Sequence, residues 1–229
     1  PFDSMEARAL NRDIFETMYF GALSESICLA RARGSPYASY EGSPLAKGRL
    51  QPDMWNCPLD DGRHNWSGLR RDLATHGAIN SLLIAPMPTA STAHILGNTE
   101  AFEPITSNMY TRRVLAGEFP LVNARLVRRL QSIGMWTPEV KQQIVRDDGS
   151  VQGVSGLPAR VKEVFRTVWE IKMKSVIDMA ADRAPFIDQG MSMNLFMESA
   201  THAKLTGALF HAWRKGLKNG CYYLRTKAA

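Results

Sequence analysis

Cysteine is scarce in this chain. Its 229 residues include three, Cys28, Cys57 and Cys221. An odd number at wide spacing, with no CxxC pair, excludes a disulfide framework and a cysteine-based zinc site. A reducing cytosol is the simplest setting for such a chain. Long apolar runs are also missing. No stretch reaches the roughly 18 apolar residues of a membrane span, so neither a transmembrane helix nor a membrane partner is expected. Asp3, Glu6, Arg8, Arg12 and Asp13 interrupt the apolar positions near the start, which excludes a secretory h-region there. The five histidines, His64, His76, His94, His202 and His211, include no i,i+4 pair and no HExxH run, so no metal is assigned to them. There is no GxxxxGK[ST] loop and no GxSxG elbow, which leaves a Walker-type nucleotide site and a serine-hydrolase nucleophile without support. Internal repeats and low-complexity tracts are absent as well.

What remains is an ordinary globular composition, 45% hydrophobic and 22% charged, able to bury a core. The net charge of +6 and pI near 9.4 fit either an anionic partner or a mildly basic surface spread over the whole chain. The densest clusters, Arg112-Arg113 and Arg125 with Arg128-Arg129, are too short and too interleaved with apolar residues to form a nucleic-acid tail.

The periodicity predicts a first helix capped at Asp3, with Glu6 three positions later and Leu10, Ile14 and Met18 at helical spacing, stopping near Gly34 and Pro36. Residues 35–65, rich in Gly, Pro, Ser, Tyr and Asp, read as a long surface connection. Trp66 to His76 fits a short helix ended by Gly77. Asn80 to Pro86 reads as a buried strand, followed by a tight polar turn and a helix running to Leu96. Arg125–Ile133 and Val161–Ala181 read as amphipathic helices. Met191–Met197 reads as a strand. Ala203–Leu217 reads as a helix with Leu205, Leu209, Trp213 and Leu217 on one stripe, and Cys221–Arg225 as a strand. Alternating strands and helices imply an α/β architecture with parallel strands. No composition shift marks an internal boundary across residues 1–229.

Two local features could carry chemistry. At the start of the helix after Pro88, Thr89, Ser91 and Thr92 offer hydroxyls, and the small Ala90 lets an anion approach the backbone. That pattern suits a phosphate or diphosphate cradle, although ordinary N-capping by Ser and Thr is the commoner use of such residues. The second feature is the adjacent pair Tyr222 and Tyr223. On a strand they would face opposite sides. A tyrosine can lose a proton and an electron together, so the pair could relay a radical, and plain strand packing is again the commoner role.

Five longer runs decide between these readings. They are PFDSMEARALNRDIFETMYFGAL at the start, YEGSPLAKGRLQPDMWN at 40–56, NSLLIAPMPTASTAHILGNTEAFEPITSNMYTRRVLAGEF at 80–119, RAPFIDQGMSMNLFM at 183–197 and KGLKNGCYYLRTKAA at 215–229. In this order and spacing the chain resembles class I ribonucleotide reductase large subunits, especially the eukaryote-like branch, over nearly its whole length. The departures are small: Gly77-Ala78-Ile79-Asn80 differs from the family's usual run, and Cys221 stands where methionine is often found.

The resemblance implies a fold and a set of roles. The fold is a ten-stranded α/β barrel of which this chain supplies the later strands and helices, an incomplete barrel by itself. Thr89, Ala90, Ser91 and Thr92 would hold the substrate diphosphate. Tyr222 and Tyr223 would pass a radical from the small subunit toward the active-site cysteine. That finger-loop cysteine, and the cysteines oxidised in turnover, fall outside the matched segments, and Cys28, Cys57 and Cys221 match none of their roles. The chain alone is therefore expected not to reduce ribonucleotides. It needs the remaining N-terminal part of the large subunit, a radical-generating small subunit, a second large subunit as homodimer partner, a ribonucleoside diphosphate and an external dithiol reductant. No cofactor is expected on this chain; the radical cofactor belongs to the small subunit and allosteric nucleotides to other large-subunit segments. The alternative is a non-catalytic nucleotide- or phosphate-binding module derived from the same barrel.

Overall fold

The computed structural model describes residues 1–89 and 92–227. Helix α1 (Met5–Arg33) is the spine. Ser4, rather than Asp3, caps it: the Ala7 N–H donates to Ser4 Oγ at 3.1 Å, while Asp3 pairs with Arg166 across the fold. Gly34 ends the helix at φ 77°, a left-handed position that suits glycine. The buried face is Phe15, Tyr19, Leu23, Ile27 and Ala30. The stripe predicted from Leu10, Ile14 and Met18 lies on the other side, exposed. Both sets obey helical spacing, so periodicity alone could not choose between them.

The main core gathers around that face. Helix α2 (Gln51–Met54) is tied in by the Gln51 N–H, which donates to the Tyr19 hydroxyl at 3.1 Å. Helix α3 (Trp66–His76) matches its expected bounds, with Asn65 as N-cap and Gly77 as stop. It packs Trp66, Leu69 and Leu73 inward, and the Trp66 and Tyr19 rings stack 6.3 Å apart. Trp66 is buried with its indole N–H donating to Glu16 at 3.2 Å, so its polar atom has a partner.

The strand expected over 80–86 does not form: the segment joins no ladder among the described residues. The helix after it shrinks to α4 (Thr92–Ile95). A hairpin follows that the sequence pattern did not reveal, β1 (Met109–Val114) antiparallel to β2 (Gly117–Val122). Its side chains are mostly exposed, so no two-residue hydrophobic alternation marks it.

A second core lies beside the hairpin. Helix α5 (Ala124–Ser132), close to the expected range, and helix α6 (Pro138–Arg146) contribute Leu126, Leu130 and Ile144, joined by Val151, Val154 and Val161. Thr137 caps α6 and Pro138 opens it, a start signal readable in the sequence. Asn108 is the polar pin of this core. Its amide nitrogen donates to the carbonyls of Gly149 and Phe165 at 2.9 Å each.

The single helix expected over Val161–Ala181 is broken in two. Helix α7 (Ala159–Val164) stops where Asn108 captures the Phe165 carbonyl. A 3-10 turn at Val168–Glu170 follows, with the Val168 N–H donating to Ile105 O at 2.9 Å. Helix α8 (Met173–Arg183) then packs on α1, where Arg8 grips Asp182 through two nitrogens at 2.6 and 2.8 Å. Strand β3 (Asn194–Phe196), helix α9 (His202–Arg214) and strand β4 (Tyr223–Arg225) close the chain. β3 and β4 pair in parallel, the one parallel pair among the described residues, and both are shorter than expected. Among the described residues there is no closed barrel.

Candidate functional site

The expected phosphate segment begins at the run 80–88. The Asn80 N–H donates to Ser26 Oγ at 3.0 Å, fixing the entry. The Leu83 and Ile84 N–H groups both donate to one oxygen of Asp188, at 2.8 Å each. The Asp188 N–H returns a bond to Ile84 O at 3.0 Å. Pro86 and Pro88 lack N–H groups and stiffen the remainder. At the turn, Thr89 donates from its hydroxyl to Glu100 O at 3.2 Å, and the Thr92 N–H donates to Thr89 O at 3.0 Å. His94 Nε2 lies 2.9 Å from the Glu100 carboxylate, so Glu100 ties both sides of the turn. Thr89 and Thr92 are exposed. Ala90 and Ser91 lie outside the described residues.

Tyr222 and Tyr223 do not splay to opposite faces. β4 begins only at Tyr223, and Tyr222 sits on the bend before it, where its N–H donates to Met193 O at 2.6 Å. The two rings therefore meet, centroids 4.3 Å apart at 61°. Both are about half exposed. The Tyr223 hydroxyl beside it raises the Tyr222 phenol above its ordinary pKa. Arg225 lies 5.5 Å from the Tyr223 ring.

A cavity of about 400 Å³ lies nearby, but Thr89, Thr92, Tyr222 and Tyr223 do not line it. His94, Thr99 and Glu100 line it from the phosphate-segment side and Arg225 from the tyrosine strand. Arg112 of the hairpin and Asn194 of β3 complete its wall. Behind Asn194 stands a buried polar cluster. Glu103 accepts from the Asn194 N–H at 2.7 Å, and Arg183 lies 4.6 Å from the Phe102 ring. Burial pushes the Arg183 guanidinium down to about 10, with Glu103 and Asp182 opposing. Sequence reasoning passed over Glu103, Arg183, Asp188 and Asn194. A polar residue inside an apolar run, as Asn194 is in MSMNLFM, was the available signal.

A second concavity of about 420 Å³ runs between α8 and α9. Its floor is Met173, Ile177, Met197 and Ala208, with Lys174, Lys204 and His211 at the rim. The expected α9 stripe is split: Leu205 and Leu217 pack on the core, while Trp213 is 72% exposed. Asp178 accepts from His211 at 2.9 Å and faces Lys215 at 3.4 Å. The three cysteines are free, and burial raises the thiols of Cys57 and Cys221. Among the described residues no group of three or more His, Cys, Asp or Glu is placed to hold a metal ion. No helix among them is long and apolar enough to cross a membrane.

Residues 1–223 match the family described as ribonucleotide reductase, barrel domain. The chain belongs to that family. Among curated ribonucleotide reductases it is 54% identical to the Arabidopsis thaliana ribonucleoside-diphosphate reductase large subunit, over all of this chain and 28% of that protein. Against the Saccharomyces cerevisiae ribonucleoside-diphosphate reductase large chain 2 the identity is 52%, over all of this chain and 26% of that one. A solved Actinobacillus ureae class Id ribonucleotide reductase alpha subunit superposes with a TM-score of 0.71 at 32% identity, over the whole chain and 36% of the subunit. The chain thus spans less than a third of the curated relatives just named. Ribonucleotide reductase barrel domain is accordingly the family assignment, and the described residues form two short two-stranded sheets.

Proposed function

We propose that this chain is part of the large subunit of a ribonucleoside-diphosphate reductase and contributes, as one stretch without internal boundary, later strands and helices of a ten-stranded barrel. The observation that carries the reading is the family match, which runs unbroken from Pro1 to Tyr223 and includes both candidate segments. The reaction replaces the 2′ hydroxyl of a ribonucleoside diphosphate by hydrogen, releases the oxygen as water and oxidises a pair of thiols to a disulfide. An external dithiol then reduces the disulfide.

In this reading Thr89 to Thr92 hold the substrate diphosphate. The exposure of Thr89 and Thr92, and the fastening of the turn by Glu100, support it. Tyr222 and Tyr223 relay the radical. Ring contact at 4.3 Å supports that role, because a short gap between phenols favours transfer. The radical originates in a cofactor of the small subunit, and none is bound by this chain. The finger-loop cysteine and the allosteric nucleotide sites belong to the rest of the large subunit, which works as a homodimer in the cytoplasm. The groove between α8 and α9, apolar below and cationic at the rim, receives the small subunit's C-terminal tail.

The experiment is reconstitution. A complete large subunit carrying this sequence, mixed with its small subunit and a dithiol, is expected to convert CDP to dCDP. Binding of CDP with no deoxynucleotide formed would overturn the enzymatic reading in favour of a binding module.

A further inference from the structure

We propose that Asp188 is a positioning residue of the phosphate segment, its carboxylate fixing the backbone of residues 83–84, from which the chain runs on to Thr89. The inference rests on the reading of that segment as the diphosphate site.

Residues 80–86 have the composition of a buried strand, yet no ladder forms on them among the described residues. Leu83 and Ile84 pack against the main core, where unpaired backbone groups are costly. One side chain meets that need. Asp188 Oδ2 accepts from the Leu83 and Ile84 N–H groups at 2.8 Å each, and the Asp188 N–H donates to Ile84 O at 3.0 Å. Two of these bonds end on a carboxylate oxygen, which makes them stronger than amide–amide bonds.

Asp188 is itself held from behind. Lys218 Nζ donates to the carbonyls of Ile187 and Asp188 at 2.6 Å each. The Lys218 ammonium stands 4.5 Å from the Trp55 ring, and the Trp55 indole N–H donates to Gly216 O at 2.8 Å. Three distant stretches, the 40–56 loop, the 183–197 run and the 215–221 run, therefore meet at the Ile187–Asp188 backbone. From Ile84 the chain reaches Thr89 through Pro86 and Pro88, whose rings fix φ and restrict the residues before them. A stiff link of this kind transmits the position of Ile84 to the turn. The carboxylate need not touch phosphate, and its negative charge would oppose such contact.

The test uses the complete large subunit carrying this sequence, with its small subunit and CDP as the probe. Asp188→Ala removes both acceptor contacts, whereas Asp188→Asn keeps a carbonyl oxygen that accepts from both N–H groups. Asp188→Ala is expected to weaken CDP binding about tenfold or more. KM should rise with it, while kcat at saturating CDP and the affinity for allosteric nucleotides stay near the parent values. Asp188→Asn should restore CDP binding to within about threefold. Thr92→Val, run in parallel, tests the diphosphate reading itself. If Thr92→Val weakens CDP binding and Asp188→Ala leaves it within about twofold of the parent, the role of Asp188 is overturned and the phosphate segment stands. If Thr92→Val is silent, the diphosphate reading fails and this inference fails with it. Should Asp188→Ala not fold, Lys218→Met replaces it. That variant frees the Ile187 and Asp188 carbonyls but spares the carboxylate, and it is expected to weaken CDP binding about threefold. Unchanged CDP binding in folded Lys218→Met would overturn the proposal.

Discussion

Tyr222 and Tyr223 are chain neighbours whose rings meet at 4.3 Å instead of pointing to opposite faces. The cause is local. Tyr222 is held outside the strand by its bond to Met193 O, and strand geometry begins one residue later. The two phenols are in contact and both are about half exposed.

This contact leads to the first prediction. Tyr222→Phe and Tyr223→Phe keep the rings and remove the hydroxyls. In the reconstituted enzyme either change is expected to abolish turnover while CDP affinity and small-subunit affinity remain. Near-normal deoxynucleotide formation by the Phe variants would remove the relay assignment.

The phosphate segment is tested by loss of hydroxyls. Ser91→Ala combined with Thr92→Val should weaken nucleoside diphosphate binding. Each hydrogen bond to a charged group contributes about 1.5–3 kcal/mol, or roughly ten- to a hundredfold in affinity. Allosteric nucleotide binding should not change. Equal losses at both kinds of site, measured by equilibrium dialysis, would indicate misfolding and remove support from the cradle.

The groove between α8 and α9 offers a clean substitution at Gly207, where an added Cβ meets nothing within 4 Å. Glycine inside a helix costs about 0.5–1 kcal/mol relative to alanine. Gly207→Leu should therefore leave α9 intact or firmer while filling the groove. Affinity for the small-subunit tail is expected to fall about tenfold with no drop in thermal stability. Unchanged tail affinity, read by fluorescence anisotropy, would place that contact elsewhere.

Acid stability follows from three carboxylates. Burial alone would raise Asp3, Asp53 and Asp178, but their partners outweigh it and hold each below the ordinary carboxylate range. Arg166 acts on Asp3, Arg70 and the Leu50 N–H act on Asp53, and His211 with Lys215 acts on Asp178. A depressed carboxylate contributes stability above its unfolded pKa and loses it as pH falls through the folded value. Thermal stability should thus hold down to the ordinary carboxylate range, near pH 4, and fall below it. Each pair is partly exposed, so the individual contributions are modest. Asp53→Asn should start lower at neutral pH and lose less on acidification; an acid-induced loss identical to the parent's would count against the Arg70 pairing.

Local signals in the chain were enough for the elements whose ends carry their own chemistry. Asn65 and Gly77 bracket α3, Gly34 stops α1, and Asn123 opens α5, because each cap satisfies backbone groups within a few residues. The family runs likewise mark both candidate segments. Other features depended on partners far away in sequence. The break between α7 and α8 follows from the capture of Phe165 O by Asn108 and of the Val168 N–H by Ile105 O. Choosing the buried face of α1 required Trp66 of α3 and Asp182 of α8 to dock against it. Residues 80–86 read as a strand because their composition is that of one, but a strand exists only through a neighbour's hydrogen bonds. Among the described residues the Leu83 and Ile84 N–H groups go instead to the side chain of Asp188, more than a hundred positions away. Backbone groups buried in a core take whichever partner the packing brings to them, and that is decided by the tertiary fold.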